Sequence, residues 1–331
     1  MSFQKVGVIG AGSWGTALAL VLQGNGLAVT MWGHDAAHID EVRATRENRV
    51  YLPGIALPES LSLTSSLEDL CDSDLLLVVT PSKAVREVAS LLFAAELGEH
   101  AVLLSCTKGV ERGSGLRMSE ILTEYFPKNP VAVLSGPSHA EEVARKRPTC
   151  VVLGCRETAL AQRLQRAFSS SSFRAYTNDD VAGIELGGAL KNIYALAAGV
   201  CDGLGLGDNA KAALVTRALV ELGRLGGALG GKPATFMGLS GVGDLMVTCF
   251  SQHSRNRSVG ERLGKGEQLS SIIASMQMVA EGVPTTYSAY ECARRHNVDA
   301  PIIEQIKGIL DGSIGPAEAL ARLLGREPRP E

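Results

Sequence analysis

The sequence predicts an α/β protein with a doubly wound, mostly parallel β-sheet at its N-terminus and an all-helical domain after it. In the first half, short β-branched runs alternate with helix-like segments, which is typical of a sheet covered by helices on both faces. After about residue 178 the β-rich runs disappear, and long stretches rich in Ala, Leu and Gly take over. The length of 331 residues also favours two domains.

The predicted strands are nearly continuous apolar runs, as expected when both faces of a parallel sheet are buried. They lie at Val6–Ile9, Ala28–Trp32, Leu75–Val79, Val102–Ser105, Val131–Leu134 and Cys150–Leu153. Helical spacing between the strands predicts helices at Ser13–Gln23, Ser82–Phe93 and Gly115–Tyr125. We assign residues 1–178 to this first domain.

The second domain, residues 179–325, contains only helical patterns. They lie at Asp180–Val200, Ala210–Leu225, Ser258–Gly264, Leu269–Met276, Thr285–His296 and Ala300–Leu310. The polar, proline-rich residues 326–331 are predicted to form a flexible tail.

Composition narrows the classes of function. A net charge of −3 provides no overall basic field and argues against a nucleic-acid partner. The 7 cysteines are odd in number and contain no C-x-x-C pair, which argues against a disulfide framework and a standard zinc site. We therefore expect reduced thiols, a cytoplasmic protein and no metal. We also expect no integral membrane segment, because no stretch approaches the roughly 18 uncharged apolar residues that a membrane helix needs.

A glycine motif, Gly10-x-Gly12-x-x-Gly15, follows the first predicted strand and opens the first predicted helix. In that context Gly10 permits a tight turn, Gly12 lets a pyrophosphate approach the backbone, and Gly15 lets the helix pack close to the strand. Amides at the helix N-terminus then face the phosphate charge. The motif predicts a dinucleotide-binding domain of the Rossmann type, the alternative being a glycine-rich turn without a ligand.

The choice of dinucleotide depends on the end of the second strand, where NAD-binding proteins usually place an acid. Here Gly33 and His34 occupy that place, and Asp35 comes one residue later. His34 is suited to a site beside a 2′-phosphate, or is a solvated loop residue. We expect NAD and NADP both to bind, with NADPH slightly favoured.

Polar residues with neighbouring glycines mark further candidates. Lys108 follows an apolar strand, and Gly136 and Ser138 follow the next one, at the sheet edge where ligands bind in such folds. For Lys108, a surface lysine in a turn is an equally weighted alternative. In the helical domain, Asp244 follows a Gly-x-Gly turn.

The sequence Ser254-Arg255-Asn256 forms a compact set of donors in the helical domain. An arginine there suits a phosphate or carboxylate, because its fork binds oxygens in pairs. Ser254 could equally be no more than a helix cap.

Lys191 interrupts the small, apolar helix "ELGGALKNIYALAAG". Gly187 and Gly188 lie on its face, one turn earlier, and remove bulk beside the ammonium. We interpret the glycines as a notch for something other than protein, and Lys191 as a proton donor that faces it. The alternative is a lysine whose stem covers apolar surface while its ammonium reaches water.

Nearly the whole chain resembles the bacterial-type NAD(P)-dependent glycerol-3-phosphate dehydrogenases. The resemblance rests on "GAGSWGTALA", "LSGPSHAEEV", "ELGGALKNIYALAAG", "TFMGLSGVGDLMVTCFSQHSRN" and "VAEGVPTT". It implies a helical domain like that of 6-phosphogluconate dehydrogenase. The implied reaction is reversible reduction of dihydroxyacetone phosphate to sn-glycerol 3-phosphate, which supplies phospholipid synthesis. His34 departs from a common arginine, and His139 from the more usual "GPSFA".

The resemblance also implies roles for individual residues. Lys191 would be the catalytic acid and base, with Asn192 and Asp244 orienting its ammonium. The substrate contacts would be Lys108, Gly136, Ser138, Lys191, Asp244, Ser254, Arg255 and Asn256. The cofactor contacts, beside the three loop glycines, would be Ser13, Trp14, His34, Lys108, Ala140, Arg255, Val279 and Glu281.

Two other functions remain open on the sequence alone. One is a dehydrogenase of a β-hydroxy acid or keto acid on the same two-domain fold, with Arg255 holding a carboxylate. The other is a dinucleotide-sensing protein without catalysis, which would have no need for Lys191 in an apolar helix. A homodimer is expected, because helical second domains with large apolar surfaces often pair.

Overall fold

The predicted fold class is confirmed by the computed structural model, which describes residues 3–327. Two compact units form: residues up to Lys108 with Leu116–Glu185, and Gly109–Gly115 with the chain from Leu186 onward. The division therefore falls inside a helix, seven residues beyond the boundary that the sequence suggested after residue 178. Of the predicted tail, residues 328–331 lie outside the described part of the chain.

The first unit is built on an eight-stranded sheet with the order β3-β2-β1-β4-β5-β6-β7-β8. The strands are β1 (Lys5–Ile9), β2 (Ala28–Trp32), β3 (Ser62–Thr64), β4 (Leu75–Val78), β5 (Val102–Ser105), β6 (Val131–Ser135), β7 (Thr149–Gly154) and β8 (Phe173–Asn178). All neighbours pair in parallel except β6 and β7. From β1 the strand order runs outward to β2 and β3, and it then continues from β4 on the other side of β1. The ends of β1 and β4 therefore form the switch point where such sheets bind ligands.

Helices cover both faces of this sheet. Alternate side chains of each strand point to opposite faces, so the strands contribute to two apolar clusters. Leu75 and Leu77 of β4 belong to one apolar cluster, and Leu76 and Val78 to another. The helices of this unit are α1 (Ser13–Gly24), α2 (Ala36–Thr45), α3 (Val85–Ala94), α4 (Met118–Tyr125), α5 (Ala140–Ala144) and α6 (Thr158–Phe168). Core residues of α1, α2 and α6 join the first cluster, and those of α3 and α4 join the second.

Two strands, β3 and β8, escaped the sequence analysis because they lie at the edges of the sheet. β3 has only three residues, and β8 alternates buried and exposed side chains along "FRAYTN". Neither forms the continuous apolar run that identified the central strands.

The second unit is helical in its described residues. Its elements are α7 (Val181–Gly203, which begins in the first unit), α8 (Gly207–Ala228), α9 (Pro233–Phe236), α10 (Asp244–Phe250), α11 (Arg255–Gly264), α12 (Leu269–Ala274), α13 (Gly282–Arg295), α14 (Pro301–Leu310) and α15 (Pro316–Leu324). A single π turn, Leu239–Gly243, precedes α10.

Helices α7 and α11 meet backbone to backbone through glycines spaced four residues apart, Gly199 and Gly203 on α7 and Gly260 and Gly264 on α11. A Cβ at Gly199 would lie 2.0 Å from the carbonyl oxygen of Arg257, and one at Gly260 would lie equally close to a carbonyl oxygen of α7. The pairing fixes how near α11 can lie to the helix that carries Lys191.

Within residues 3–327, none of the helices taken singly has the length and apolarity to cross a bilayer. One bent pair, Pro233–Phe250 with Arg255–Gly264 at 50°, meets those two criteria when its members are joined.

Candidate active site

The predicted phosphate loop lies at the switch point, between the end of β1 and the N-terminus of α1. Gly10 has a φ of +121°, and a Cβ there would lie 2.6 Å from the carbonyl oxygen of Val79. A Cβ at Gly15 would lie 1.8 Å from the carbonyl oxygen of Gly10, so this position also requires glycine. Gly12 differs, because a Cβ there would meet nothing within 4 Å. The backbone is therefore open to a ligand at Gly12, beside the first amides of a helix, and this fits a pyrophosphate.

Three other residues predicted at the dinucleotide lie at the starts of helices in the same unit. Ser13 is buried and opens α1, and Trp14 follows it, partly buried against the core of the sheet. Ala140 is buried and opens α5, a helix that packs against α1.

At the end of β2, His34 is exposed and Asp35 is engaged elsewhere. One oxygen of the Asp35 carboxylate accepts the backbone N–H groups of Ala37 and His38, at 3.0 and 3.2 Å, and so caps α2. An acid used as a helix cap competes poorly for the ribose hydroxyls that the usual acid in this place would bind.

The carbonyl oxygen of Gly136 brings together the three candidates at the ends of β5 and β6. Lys108 Nζ and Ser138 Oγ both donate to it, each at 3.0 Å. Gly136 has a φ of +133°, and a Cβ there would crowd Val151 at 3.1 Å. Lys108 is therefore held at the sheet edge by a specific bond, unlike a solvated surface lysine.

Lys191 is buried, with 6 % of its surface exposed. Its Nζ lies 2.9 Å from Asp244 Oδ1 and 2.5 Å from Thr248 Oγ1. The Thr248 hydroxyl in turn donates to the carbonyl oxygen of Asp244, at 2.6 Å. Burial raises the pKa of the neighbouring Cys249 thiol to about 12 despite the nearby ammonium, so this thiol stays neutral. The ammonium is thus oriented by one carboxylate and one hydroxyl, as a proton donor must be.

The interpretation of Gly187 as a notch for a ligand is wrong. A Cβ at Gly187 would lie 2.6 Å from the carbonyl oxygen of Ser240, so the π turn before α10 fills the space. The glycine instead lets the backbone at Ser240, four residues before Asp244, approach α7 closely.

Asn192, which the sequence predicted to orient Lys191, is bonded to another amide. Its Oδ1 accepts from Asn256 Nδ2 at 2.9 Å, while Asn256 Oδ1 accepts the backbone N–H of Gly282 at 2.8 Å. This chain of amides ties α7, α11 and the start of α13 together beside Lys191.

Ser254 and Arg255 lie at the N-terminus of α11, as the sequence predicted. Ser254 is the N-cap, and its Oγ accepts the backbone N–H of Arg257 at 3.2 Å, so its capping role is real. Arg255 is exposed and donates to the carbonyl oxygen of Val279 at 3.0 Å. Glu281 is the N-cap residue of α13. The second unit therefore places Arg255 beside the segment predicted to contact the cofactor.

Sequence reasoning missed Thr248, although its position four residues after Asp244 on a helix was a usable signal. It also missed a second buried lysine, Lys211, whose Nζ lies 3.0 and 2.8 Å from the two oxygens of Asp202. Arg257 shares the same carboxylate. This cluster joins α7, α8 and α11, and both oxygens of its carboxylate are engaged by cations.

Residues 3–327 contain no group of three or more His, Cys, Asp or Glu side chains arranged to hold a metal ion. The described features are a dinucleotide loop at a switch point and a buried lysine held by a carboxylate. They define the class of protein as a nicotinamide-dinucleotide-dependent oxidoreductase.

Comparison with known proteins identifies the family. Models of the NAD-dependent glycerol-3-phosphate dehydrogenase N-terminus and C-terminus match residues 5–161 and 180–321. The chain is 48% identical over 326 residues to a glycerol-3-phosphate dehydrogenase (NAD(P)+) of Bacillus anthracis, covering 97% of this chain and 96% of that one. The chain belongs to the NAD-dependent glycerol-3-phosphate dehydrogenase family, which confirms the resemblance seen in the sequence.

Solved structures agree with this assignment. The glycerol-3-phosphate dehydrogenase of Coxiella burnetii is 39% identical, with a TM-score of 0.94 over 98% of this chain and 99% of that one. The enzyme of Saccharomyces cerevisiae is 26% identical, with a TM-score of 0.83 over 97% and 99%. The protein is an NAD(P)-dependent oxidoreductase that acts on a CH–OH group.

Proposed function

We propose that the protein interconverts dihydroxyacetone phosphate and sn-glycerol 3-phosphate, with Lys191 as the catalytic acid and base. The observation that carries the proposal is the buried Lys191–Asp244–Thr248 cluster. A bound reduced dinucleotide would supply the hydride for the C2 carbonyl carbon. Lys191 donates a proton to the carbonyl oxygen as negative charge develops there, and accepts it in the reverse direction.

Asp244 and Thr248 keep the lysine ammonium in one orientation, which lowers the cost of ordering it in the transition state. Lys211, which is also buried, is instead paired with both oxygens of Asp202, a carboxylate that it shares with Arg257. Arg255 holds the substrate phosphate through its guanidinium fork, assisted by Ser254 and Asn256. The family resemblance also assigns Lys108, Gly136 and Ser138 to the substrate.

NADPH is the slightly preferred cofactor, and NADH is also used. Two features support this preference: the exposed imidazole of His34 at the end of β2, and the engagement of Asp35 as a helix cap. The Gly10–Gly15 loop, together with Ser13, Trp14 and Ala140, would hold the pyrophosphate of the dinucleotide. By the family resemblance, Lys108, Arg255, Val279 and Glu281 would be further cofactor contacts.

The protein acts in the cytoplasm as a homodimer and supplies glycerol 3-phosphate for phospholipid synthesis. Seven free cysteines support a reducing compartment.

Three exposed apolar side chains support a dimer. Val220, Met246 and Phe250 are each more than two-fifths exposed and lie on two helices, α8 and α10, that pack together. Light scattering coupled to gel filtration measures the mass, and a monomer at micromolar concentration would contradict the dimer.

A spectrophotometric assay tests the activity. Purified protein is given dihydroxyacetone phosphate, unphosphorylated dihydroxyacetone or a panel of keto acids, with NADH or NADPH, and loss of reduced cofactor is followed. We expect turnover with the phosphorylated triose, higher kcat/KM with NADPH, and a preference for the phosphate that Arg255→Ala abolishes. Turnover confined to a keto acid would refute the proposal.

Lys191→Ala tests the catalytic assignment, with Lys211→Ala as the matched control. Both changes remove a buried lysine paired with an aspartate in the same unit, so both lower the melting temperature. We expect only Lys191→Ala to reduce turnover by orders of magnitude. A loss within threefold, about 0.65 kcal/mol, would exclude Lys191 as the proton donor.

A further inference from the structure

Asn48 is a buried polar residue outside the predicted active site, yet it is bonded to the phosphate loop. It lies between α2 and β3, and none of its surface is exposed. Its Nδ2 donates to the carbonyl oxygen of Ala11 at 2.8 Å and to Thr16 Oγ1 at 2.9 Å. Its Oδ1 accepts the backbone N–H of Tyr51 at 3.3 Å. One side chain therefore holds both the loop and the first turn of α1.

The bond to Ala11 controls the direction of the next amide. In a trans peptide the C=O and the following N–H point in opposite directions. Because Asn48 fixes the carbonyl of Ala11 on one side, the N–H of Gly12 points away from Asn48. Gly12 is the loop position whose missing side chain leaves open space.

The segment that carries Asn48 is itself rigidly built. The backbone N–H of Leu52 donates to the carbonyl of Asn48, and the N–H of Leu57 donates to that of Arg46. Both leucines are buried in the core of the sheet. The Glu47 carboxylate accepts from the backbone of the same segment, at Gly54. Asn48 is thus fixed before any ligand arrives, as a group that orients a binding loop must be.

We propose that Asn48 is a positioning residue for the dinucleotide, which holds the Ala11–Gly12 peptide so that the Gly12 amide faces the pyrophosphate. The inference rests on dinucleotide binding at the Gly10–Gly15 loop. This role explains why a fully buried asparagine donates its two amide protons to one loop carbonyl and one helix hydroxyl. The pyrophosphate is common to NADH and NADPH, so the loss of Asn48 weakens both cofactors by the same factor.

Isothermal titration of NADPH and NADH into the full-length protein tests the inference. We expect Asn48→Ala to raise both dissociation constants at least tenfold, about 1.4 kcal/mol, and by equal factors. The isosteric Asn48→Leu leaves no cavity, so it is the variant to use if Asn48→Ala does not fold. We expect the same loss of dinucleotide affinity from it, because leucine cannot donate a hydrogen bond.

The matched control is Asn129→Ala. Asn129 is also buried in the first unit and donates to two loop carbonyls, those of Gly98 and Ala101, each at 2.9 Å. It precedes β6, whereas the phosphate loop follows β1. We expect a comparable fall in melting temperature with both dissociation constants within twofold of wild type.

Dissociation constants within threefold of wild type in a folded Asn48→Leu protein would overturn the inference and leave Asn48 a structural residue. Unequal losses of NADH and NADPH would also overturn it, because they would place its effect at the 2′-phosphate end. A wild-type protein that binds neither dinucleotide would instead overturn the proposed function itself.

Discussion

The glycine contact between α7 and α11 gives a quantitative prediction for Gly199→Ala. The new Cβ would lie 2.0 Å from the carbonyl oxygen of Arg257 and 2.7 Å from the backbone nitrogen of Glu261. Ordinary carbon contacts begin near 3.4 Å, so the two helices must separate by about 1.4 Å. No side chain can yield, because both obstacles are backbone atoms of α11.

Separation of the helices loses contacts along their whole length, so the cost lies at the upper end for overpacking, about 3 kcal/mol. For a unit of this size that corresponds to a fall of about 6–12 °C in melting temperature. The bond between Asn192 and Asn256 crosses the same contact and would lengthen. Since α11 begins with Arg255 and α7 carries Lys191, kcat/KM should fall along with stability.

Thermal unfolding and steady-state kinetics measure these effects, with Gly223→Ala on α8 as the control. A Cβ at Gly223 meets nothing within 4 Å. Alanine there should therefore stabilise the helix by about 0.5–1 kcal/mol, from intrinsic propensity alone. If Gly199→Ala melted at or above the wild-type temperature, the close backbone contact would not exist.

Three further predictions concern single side chains. Thr248→Val removes the hydroxyl bonded to Lys191 and should lower kcat at least tenfold, about 1.4 kcal/mol, in steady-state assays; an unchanged kcat would show that Asp244 suffices. Burial raises the pKa of Glu221 from 4.5 to about 7 while its carboxylate caps α14. The stability that Glu221 contributes is therefore complete below pH 4.5 and is lost as the pH rises through 7. The free energy of unfolding, measured with urea, should therefore fall more steeply with pH between pH 5 and 8 in the wild type than in Glu221→Gln. Equal slopes would contradict that shift. His34→Asp should raise the ratio of kcat/KM for NADH over NADPH about tenfold, because an acid there binds ribose hydroxyls and repels a 2′-phosphate; an unchanged ratio would remove His34 from the cofactor site.

The sequence located most of the structural elements and most of the polar clusters described above. Central strands such as β4 are apolar without interruption, so local patterns suffice to find them. Helical spacing located α11 only from Ser258, although it begins at Arg255 after the cap Ser254. Edge strands β3 and β8 lack that apolar pattern, since each has a neighbouring strand on one side only and some of its side chains are exposed. Their pairing depends on neighbours that are distant in sequence.

For the site, local patterns predicted candidate residues but not the groups that these residues contact. The loop at Gly10, Gly12 and Gly15 was found because its three glycines have a characteristic spacing between one strand and the helix that follows it. Thr248 was missed, because it contacts Lys191 across 57 residues of chain and only its spacing from Asp244 pointed to it.

The sequence by itself determined the class of fold, the central strands, the glycine-rich turn at residues 10–15 and the presence of a lysine in an apolar helix. These depend on periodicity and on backbone geometry over a few residues. Only the tertiary structure decided that a backbone carbonyl of the π turn fills the space at Gly187 and that Asn48 holds the phosphate loop. Both depend on which distant segments pack together, and a linear pattern carries no record of that packing.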